Sequence, residues 1–432
     1  MTVDKTTEPD ATSATTDDRS GFAGDTRAAT LGGALREWLD RVRGGDMGAL
    51  PAVLGLLVLF VVFTILRPDS FTSELNIANL LTQAAAICVL AMGLVPVLLI
   101  GDIDLSAGVA GGTSAGVTAL LIDRQGYGWP IAVVAGIVTG ILIGFVIGLL
   151  VAKLGIPSFV VTLAFFLGLQ GVILKLIGQG GSIAVRDSVI RGLTIDNMPV
   201  VAGWILVIVI LAAYAGASIY THRKKSALGL QRGPLSLVII KVAVIAAIMI
   251  GGTAFLSIDR RAVKTLATDP IQGIPYAVFV VVALLIALSF VFGRTRYGRH
   301  VYAVGGNREA ARRAGINVDR IRVSAFMICS GMAAISGIIT ASYDGKVSPG
   351  SGGGNVLLYA VGAAVIGGTS LFGGRGLIRN GVIGGLVIAT IANGLYLLNQ
   401  AAYINFLVTG IVLLLAASVD AISRRRRTST GT

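Results

Sequence analysis

The sequence predicts an all-α membrane protein, a polytopic helix bundle of about 12 spans with both termini cytoplasmic and with broken or re-entrant helices. Hydrophobic residues make up 54% of the 432 residues and charged residues only 13%, which is too little polar surface for a soluble domain. Apolar runs of roughly 20 residues, enough to cross a bilayer, recur along the chain. The 58 glycines fit a membrane bundle, because small residues let helices approach closely.

The chain divides into four predicted regions. Residues 1–30 are rich in Ser, Thr, Asp and Glu and lack apolar periodicity, so they predict a disordered N-terminal tail. Residues 31–48 place apolar side chains on one helical face and predict an amphipathic juxtamembrane segment. Residues 49–420 form the predicted transmembrane domain, and 421–432 a basic cytoplasmic tail. Because the first apolar run begins only near Leu50, no cleavable signal peptide is expected.

Twelve candidate spans lie within the transmembrane domain. They cover residues 51–67, 77–100, 105–122, 130–152, 158–177, 200–219, 235–255, 274–293, 323–341, 356–372, 376–398 and 402–420. The weakest are 105–122, which is rich in glycine, and 356–372, which is short and could span or re-enter. An even number of crossings places both termini on one side. Most Lys and Arg residues between the spans fall on that side, notably in 294–322, which predicts that this side is the cytoplasm.

Two carboxylates interrupt the apolar pattern in the first motif, residues 101–108. Asp102 and Asp104 follow a long apolar run, and Ser106 precedes a glycine-rich one. Charge at membrane depth is costly and is usually retained for function or buried by a partner. A carboxylate can also cap the helix that follows. The motif therefore predicts a helix break, which either serves structure alone or contacts a transported substrate.

The second motif occupies the basic segment 294–322. From Asn307 to Ala314 it predicts a short helix, with Asn307 as N-cap and Gly315 as C-cap. Alanines give this helix one small, flat face. Two interpretations remain open: a basic loop beside anionic lipid, or a docking helix for a cytoplasmic partner.

The third motif, residues 366–376, is dense in glycine and is followed by Gly381, Gly384 and Gly385. Glycine costs about 1 kcal/mol against alanine inside a helix, so this density indicates tight helix contacts or a re-entrant bend. Its Gly-Gly-Thr-Ser run repeats the run at 111–114, which hints at an internal repeat or arises by chance.

Several function classes lack their signatures in this sequence. Walker A and Rossmann glycine patterns are missing, so ATP-driven transport would need another chain to bind the nucleotide. No Cys/His cluster indicates a metal site, and no cofactor or catalytic residue is expected. The net charge of +13 would suggest nucleic acid in a soluble protein. Here the basic residues flank the spans, so no nucleic acid partner is expected and contact with membrane lipid is.

The motifs GDIDLSAG, GRHVYAVGGNREAARRAGIN and VIGGTSLFGGRG, in this order, resemble those of permease subunits of ABC importers for monosaccharides. The resemblance covers residues 50–420. It implies a subunit of the plasma (inner) membrane that a separate cytoplasmic ATPase energises and an extracytoplasmic sugar-binding protein supplies. It also implies a second permease chain, so that a homodimer is expected. The chain is longer between 220 and 273 than ribose-type permeases and is similar there to xylose-type ones. D-xylose is therefore the expected sugar, and other monosaccharides remain open.

The resemblance also implies site residues. The ATPase-coupling loop would contain Asn307, Glu309, Ala310, Ala311, Ala314 and Gly315. The break beside the translocation pathway would contain Asp102, Asp104 and Ser106. Neutral polar side chains suited to sugar hydroxyls add Asn355, Tyr359, Thr369 and Ser370 as further pathway candidates.

Three rival functions remain. A 12-helix ion-coupled secondary transporter would need ionisable residues in mid-span, and only Lys241 lies centrally in a clear span. A related ABC permease for branched-chain amino acids is the second rival. A membrane-embedded enzyme would need clustered acidic or histidine side chains, which the spans lack.

Overall fold

The computed structural model describes residues 48–228, 234–261, 269–401 and 403–415, together with residues 32, 33, 36 and 418 singly. The predictions for the N-terminal tail, for nearly all of the juxtamembrane segment and for the basic C-terminal tail lie outside the described residues. Residues 211–246 belong, with the described residues before 41, to a smaller unit. All three motifs lie in the other, larger unit.

The described chain is predominantly helical. Its helices are α1 (Leu50–Leu66), α2 (Pro68–Phe71), α3 (Glu74–Leu99), α4 (Ala107–Asp123), α5 (Trp129–Lys153), α6 (Ser158–Ile177), α7 (Ser188–Ile195), α8 (Val200–Ala227), α9 (Leu235–Leu256), α10 (Tyr276–Arg294), α11 (Arg296–Gly306), α12 (Arg308–Arg313), α13 (Val318–Asp344), α14 (Val356–Ile366), α15 (Ile378–Leu397) and α16 (Tyr403–Leu415). Four two-residue strands are β1 (Ile183–Ala184), β2 (Asn197–Met198), β3 (Ile274–Pro275) and β4 (Lys346–Val347).

Eight of these helices are long and apolar enough to cross a membrane: α3, α5, α6, α8, α9, α10, α13 and α15. Four shorter apolar helices are α1, α4, α14 and α16. Together they coincide with the twelve candidate spans, so the predicted polytopic all-α fold is confirmed over the described residues. The cytoplasmic location of the termini stays a prediction.

The core of the larger unit is built on α3, α13 and α15, whose apolar stretches are mostly buried. Local sequence explains their limits. Ser73 accepts a hydrogen bond from the Asn76 backbone N–H and caps α3. Gly345, with φ +67°, ends α13 in the left-handed conformation that glycine adopts without strain.

A ladder of glycines at every fourth position lets α5 lie directly against α13. A Cβ added to Gly140 would stand 2.5 Å from the Ser330 carbonyl oxygen, and one on Gly148 would stand 2.7 Å from Val323 Cα. Glycines at this spacing share one helix face, so two backbones can approach closely. Gly136, at the start of the ladder, packs against Thr118 of α4 instead. The spacing is visible in the sequence and predicts a close helix contact, but it does not identify the partner helix.

The loops of the larger unit gather at two opposite ends. At one, called the strand end, β1 pairs with β4 and β2 pairs with β3, both antiparallel. At the other, called the motif end, lie the three sequence motifs.

The two weakest candidate spans differ: 105–122 corresponds to the continuous 17-residue helix α4, whereas 356–372 is interrupted. Helix α14 has 11 residues, about 16 Å at 1.5 Å per residue, which is roughly half of a 30 Å hydrocarbon core. It ends at Ile366, short of the predicted 372, because Gly367 and Gly368 turn the chain, the latter with φ +99°. The open question about 356–372 is thus answered: it is no continuous spanning helix. The two Gly-Gly-Thr-Ser runs also differ, since 111–114 is helical and 367–370 turns.

Candidate functional site

The three motifs meet at the motif end through hydrogen bonds to backbone carbonyl oxygens. Gly374 donates its N–H to the Leu99 carbonyl oxygen at 2.7 Å. Tyr302 donates its hydroxyl to the Gly376 carbonyl oxygen at 2.8 Å. Arg308 donates from Nη2 to the Ile100 carbonyl oxygen at 2.7 Å. These residues, with Asp102, Gly305 and Arg322, define the motif junction.

Close backbone contact at the junction requires glycine. A side chain on Gly305 would collide with the Leu99 carbonyl oxygen and would meet the Gly374 nitrogen at 2.9 Å. Burial raises the pKa of the Tyr302 phenol above its ordinary value, so the group stays a neutral donor near pH 7. The junction is therefore held together by uncharged bonds as well as by ion pairs.

Asp102 binds two arginines at the centre of the junction. Its side chain is nearly buried, and Oδ1 lies 3.1 Å from Arg308 Nη2. Arg322 makes a bidentate contact, with Nε 2.9 Å from Oδ2 and Nη2 3.0 Å from Oδ1. Arg322 also donates from Nη1 to the Val151 carbonyl oxygen at 3.1 Å. Such charge-assisted pairs are the strongest class of protein hydrogen bond, so Asp102 ties the break after α3 to both ends of the segment 308–322.

Asp104 and Ser106 form a local turn that starts α4. Asp104 Oδ1 accepts from the Ser106 backbone N–H at 2.9 Å and from Ser106 Oγ at 2.6 Å, and both side chains are fully buried. Asp104 Oδ2 has no hydrogen-bond partner within the described part of the chain. This geometry gives both side chains a structural position at the helix break.

Helix α12 has one anchored face and one exposed face. Asn307 Oδ1 accepts from the Ala310 N–H at 2.9 Å, so the predicted N-cap and short helix are confirmed. Glu309, Ala310, Ala314 and Gly315 are exposed. Ala311 is 4% exposed and packs in the core. It therefore anchors the helix, while its neighbours form the surface that another molecule can reach.

The remaining pathway candidates do not form one cluster. Thr369 and Ser370 are buried near the motif end, and Ser370 Oγ accepts from the Phe372 N–H at 3.3 Å. Asn355 is exposed just before α14, and Tyr359 is partly buried within it. No group of three or more His, Cys, Asp or Glu residues that could hold a metal occurs in the described ranges.

Sequence reasoning missed the partners of Asp102. A carboxylate beside apolar runs implies a basic partner, but the chain offers many arginines and no local rule selects among them. Arg308 and Arg322 lie 206 and 220 residues away. Only the tertiary fold brings them to the break.

Comparison with known proteins gives one consistent result. Residues 76–417 match the family described as the branched-chain amino acid transport system permease component. The chain is 34% identical to the xylose transport system permease protein XylH of Escherichia coli K12, over 87% of this chain and 92% of that protein. It is 33% identical to XylH of Haemophilus influenzae, over 87% and 96%. It is 30% identical to the ribose import permease protein RbsC of E. coli K12, over 85% and 92%. No solved structure matches the chain.

Proposed function

The chain belongs to the permease-component family of branched-chain amino acid transport systems, and we propose that it imports D-xylose as the membrane subunit of an ATP-driven transporter. It is a multi-pass protein of the plasma membrane and a sugar-permease subunit, a transport component. The choice of D-xylose is supported by two xylose permeases at 34% and 33% identity, against 30% and 32% for the ribose permeases of E. coli and Bacillus subtilis.

The motif junction is the observation that supports energy coupling. Helix α12 presents an exposed surface, and its first residue, Arg308, is bonded to the break after α3. A cytoplasmic ATPase that docks on α12 would therefore pull directly on Asp102 and on the extended segment that leads into α4. Arg322 would carry the same movement into α13. Rigid elements joined in this way can switch a pathway between two arrangements.

We assign surfaces to the ATPase, the sugar-binding protein and anionic lipid. The ATPase would contact Asn307, Glu309, Ala310, Ala314 and Gly315, which are exposed at the motif end. The sugar-binding protein would approach the strand end, on the opposite side of the membrane. A second copy of the chain would complete the transporter, and anionic lipid would contact the exposed arginines around α11.

The test is reconstitution in sealed vesicles with the ATPase and the sugar-binding protein encoded beside this chain. ATP enclosed on the ATPase side should drive uptake of labelled D-xylose, and an excess of unlabelled D-xylose should compete. Uptake by this chain alone under a proton gradient would refute the proposal in favour of the ion-coupled transporter. Uptake of labelled leucine without uptake of xylose would favour the branched-chain amino acid permease that the family description suggests.

A further inference from the structure

The loop between β4 and α14, residues 348–355, descends into the middle of the bundle. Its start is fixed at the strand end, where Val347 pairs with Ile183. Its tip packs against α4, since a Cβ on Gly108 would stand 2.5 Å from the Gly352 carbonyl oxygen. Gly108 and Gly112, which both touch the tip, lie fifteen and eleven residues before Asp123, about 22 and 16 Å along the helix. Measured from the strand end, the tip therefore lies at least halfway through a hydrocarbon core of about 30 Å.

Residues 348–353 form two successive turns. The Ser351 N–H donates to the Ser348 carbonyl oxygen at 2.9 Å, and the Gly353 N–H donates to the Gly350 carbonyl oxygen at 3.0 Å. Helix α14 then covers about 16 Å towards the motif end. The segment beside α4 is therefore non-helical backbone, and helical structure begins only at Val356.

The loop exposes non-helical backbone at a depth where contact with lipid would be unfavourable. Gly350, Gly354 and Asn355 are exposed, and Ser351 and Gly352 are partly so. Non-helical backbone at membrane depth is stable only where protein buries it or where it lines a water-filled cavity. The exposed side of the loop must therefore face water or another protein chain.

The groups beneath the loop are uncharged. A cavity of about 20 Å³ between the loop, α4 and α13 is lined mainly by apolar side chains and glycines, with the hydroxyl residues Ser336, Thr340 and Ser351 among them. This volume holds a single water molecule, so the structure is closed to a sugar here. Hydroxyls and peptide groups without any charge suit a neutral polyhydroxylated ligand and lack the counter-charges that a zwitterionic amino acid requires.

We propose that residues 350–355 line the water-filled translocation pathway at the middle of the membrane and contact the hydroxyls of the transported sugar there. The identity of the ligand rests on the proposed function. The contact of the loop with water does not depend on it. A second protein chain covering the loop is the competing occupant, and the experiment below distinguishes it.

Single cysteines test this proposal in the complete transporter. Cys88 and Cys329 are both buried and are first replaced by alanine. Asn355→Cys and Gly350→Cys are then compared with Val138→Cys, which lies exposed on α5 nine residues from its start, at a similar depth. Asn355 makes no side-chain cap bond and a Cβ at Gly350 meets open space beyond Ser348 Oγ at 3.9 Å, so both variants should fold.

The readout is the rate of modification by a charged, membrane-impermeant thiol reagent. We expect both loop cysteines to react at least tenfold faster than Val138→Cys, and D-xylose with binding protein and ATP to slow the reaction at Asn355→Cys. Loop cysteines that react no faster than Val138→Cys would overturn the proposal. If the loop cysteines resist the reagent but form a disulfide between two copies of the chain, the loop lies in a protein interface and the proposal is wrong. Since labelling needs no transport, absence of xylose uptake by the unsubstituted transporter would count against the proposed function alone.

Discussion

Arg308 and Asp102 are 206 residues apart in the chain, yet Arg308 Nη2 lies 3.1 Å from Asp102 Oδ1. The pair joins the first residue of the exposed helix α12 to the break between α3 and α4. Arg322 binds both oxygens of the same carboxylate. One buried side chain thus connects a surface that a partner can reach with two helices of the core, which makes the pair the natural place to test coupling.

Asp102→Asn should separate ATP hydrolysis from transport. The amide keeps the shape of the carboxylate but removes the charge that holds two guanidinium groups. We expect xylose uptake to fall at least tenfold while ATP hydrolysis by the assembled transporter continues, so that the ATP consumed per sugar rises several-fold. Asp319→Asn is the matched control, because Asp319 forms only a surface pair with Lys153 at 3.4 Å and such pairs contribute about 0–1 kcal/mol. If Asp102→Asn and Asp319→Asn consumed the same amount of ATP per sugar transported, a coupling role for Asp102 would be excluded.

Arg322→Gln should destabilise the protein more than Arg308→Gln. The Arg322 side chain is 14% exposed and makes two bonds to Asp102 and one to Val151, whereas Arg308 is 39% exposed. Breaking a buried pair costs about 3–5 kcal/mol, because it leaves an uncompensated charge. Thermal unfolding of the two variants in detergent measures the difference. If Arg308→Gln lowered the melting temperature as far as Arg322→Gln, burial would not control the energetics of this cluster.

The sequence predicted those features of the fold that local composition decides. The length of the apolar runs predicts the spans. Asn307 before the short helix 308–313 and Gly315 after it predict where that helix begins and ends. The partners of Asp102 could not be predicted, because their contact depends on how distant helices pack. The exposed face of α12 was also underdetermined: three alanines look alike in sequence, but Ala311 turns into the core while Ala310 and Ala314 turn out. Asn355 and Tyr359 share the polar chemistry of Thr369 and Ser370 but not their location.

Gly144→Ala should weaken the packing of α5 on α13. A Cβ at this position would stand 2.8 Å from the Phe326 carbonyl carbon and 2.9 Å from Met327 Cα, and a backbone cannot yield as a flexible side chain does. Overpacking of this kind costs about 1–3 kcal/mol. The control is Gly168→Ala in α6, where nothing lies within 4 Å of the new Cβ, so the substitution should be neutral or stabilise by about 0.5–1 kcal/mol. The yield of folded protein after detergent extraction measures the effect of each variant. If Gly168→Ala lowered this yield as much as Gly144→Ala, the packing argument would be contradicted.

The buried amides of Asn76 and Asn393 should be energetically coupled. Each Nδ2 donates to the other's Oδ1 at 3.0 Å, which joins α3 to α15. Asn393→Ala leaves the Asn76 amide with only part of its hydrogen bonding, at a cost of about 1–3 kcal/mol. The double variant should lose less than the sum of the two single losses. A double-mutant cycle on unfolding free energies gives the answer, and strict additivity would mean that the pair does not stabilise the fold.

Glu309→Lys should abolish uptake and leave the fold intact. Glu309 is highly exposed, and its one described ion pair is the surface contact with Arg312 at 3.1 Å, so the change should alter stability by no more than about 1 kcal/mol. On a surface that docks an ATPase, the same change reverses a charge facing the partner, and unfavourable like-charge contacts can cost several kcal/mol. We expect at least a tenfold loss of ATP-driven xylose uptake, together with weaker co-purification of the ATPase. Asp123→Lys makes the same charge change on an exposed residue at the strand end and should leave ATPase binding unchanged. If Glu309→Lys bound the ATPase and transported as well as Asp123→Lys, the docking surface would have to lie outside α12.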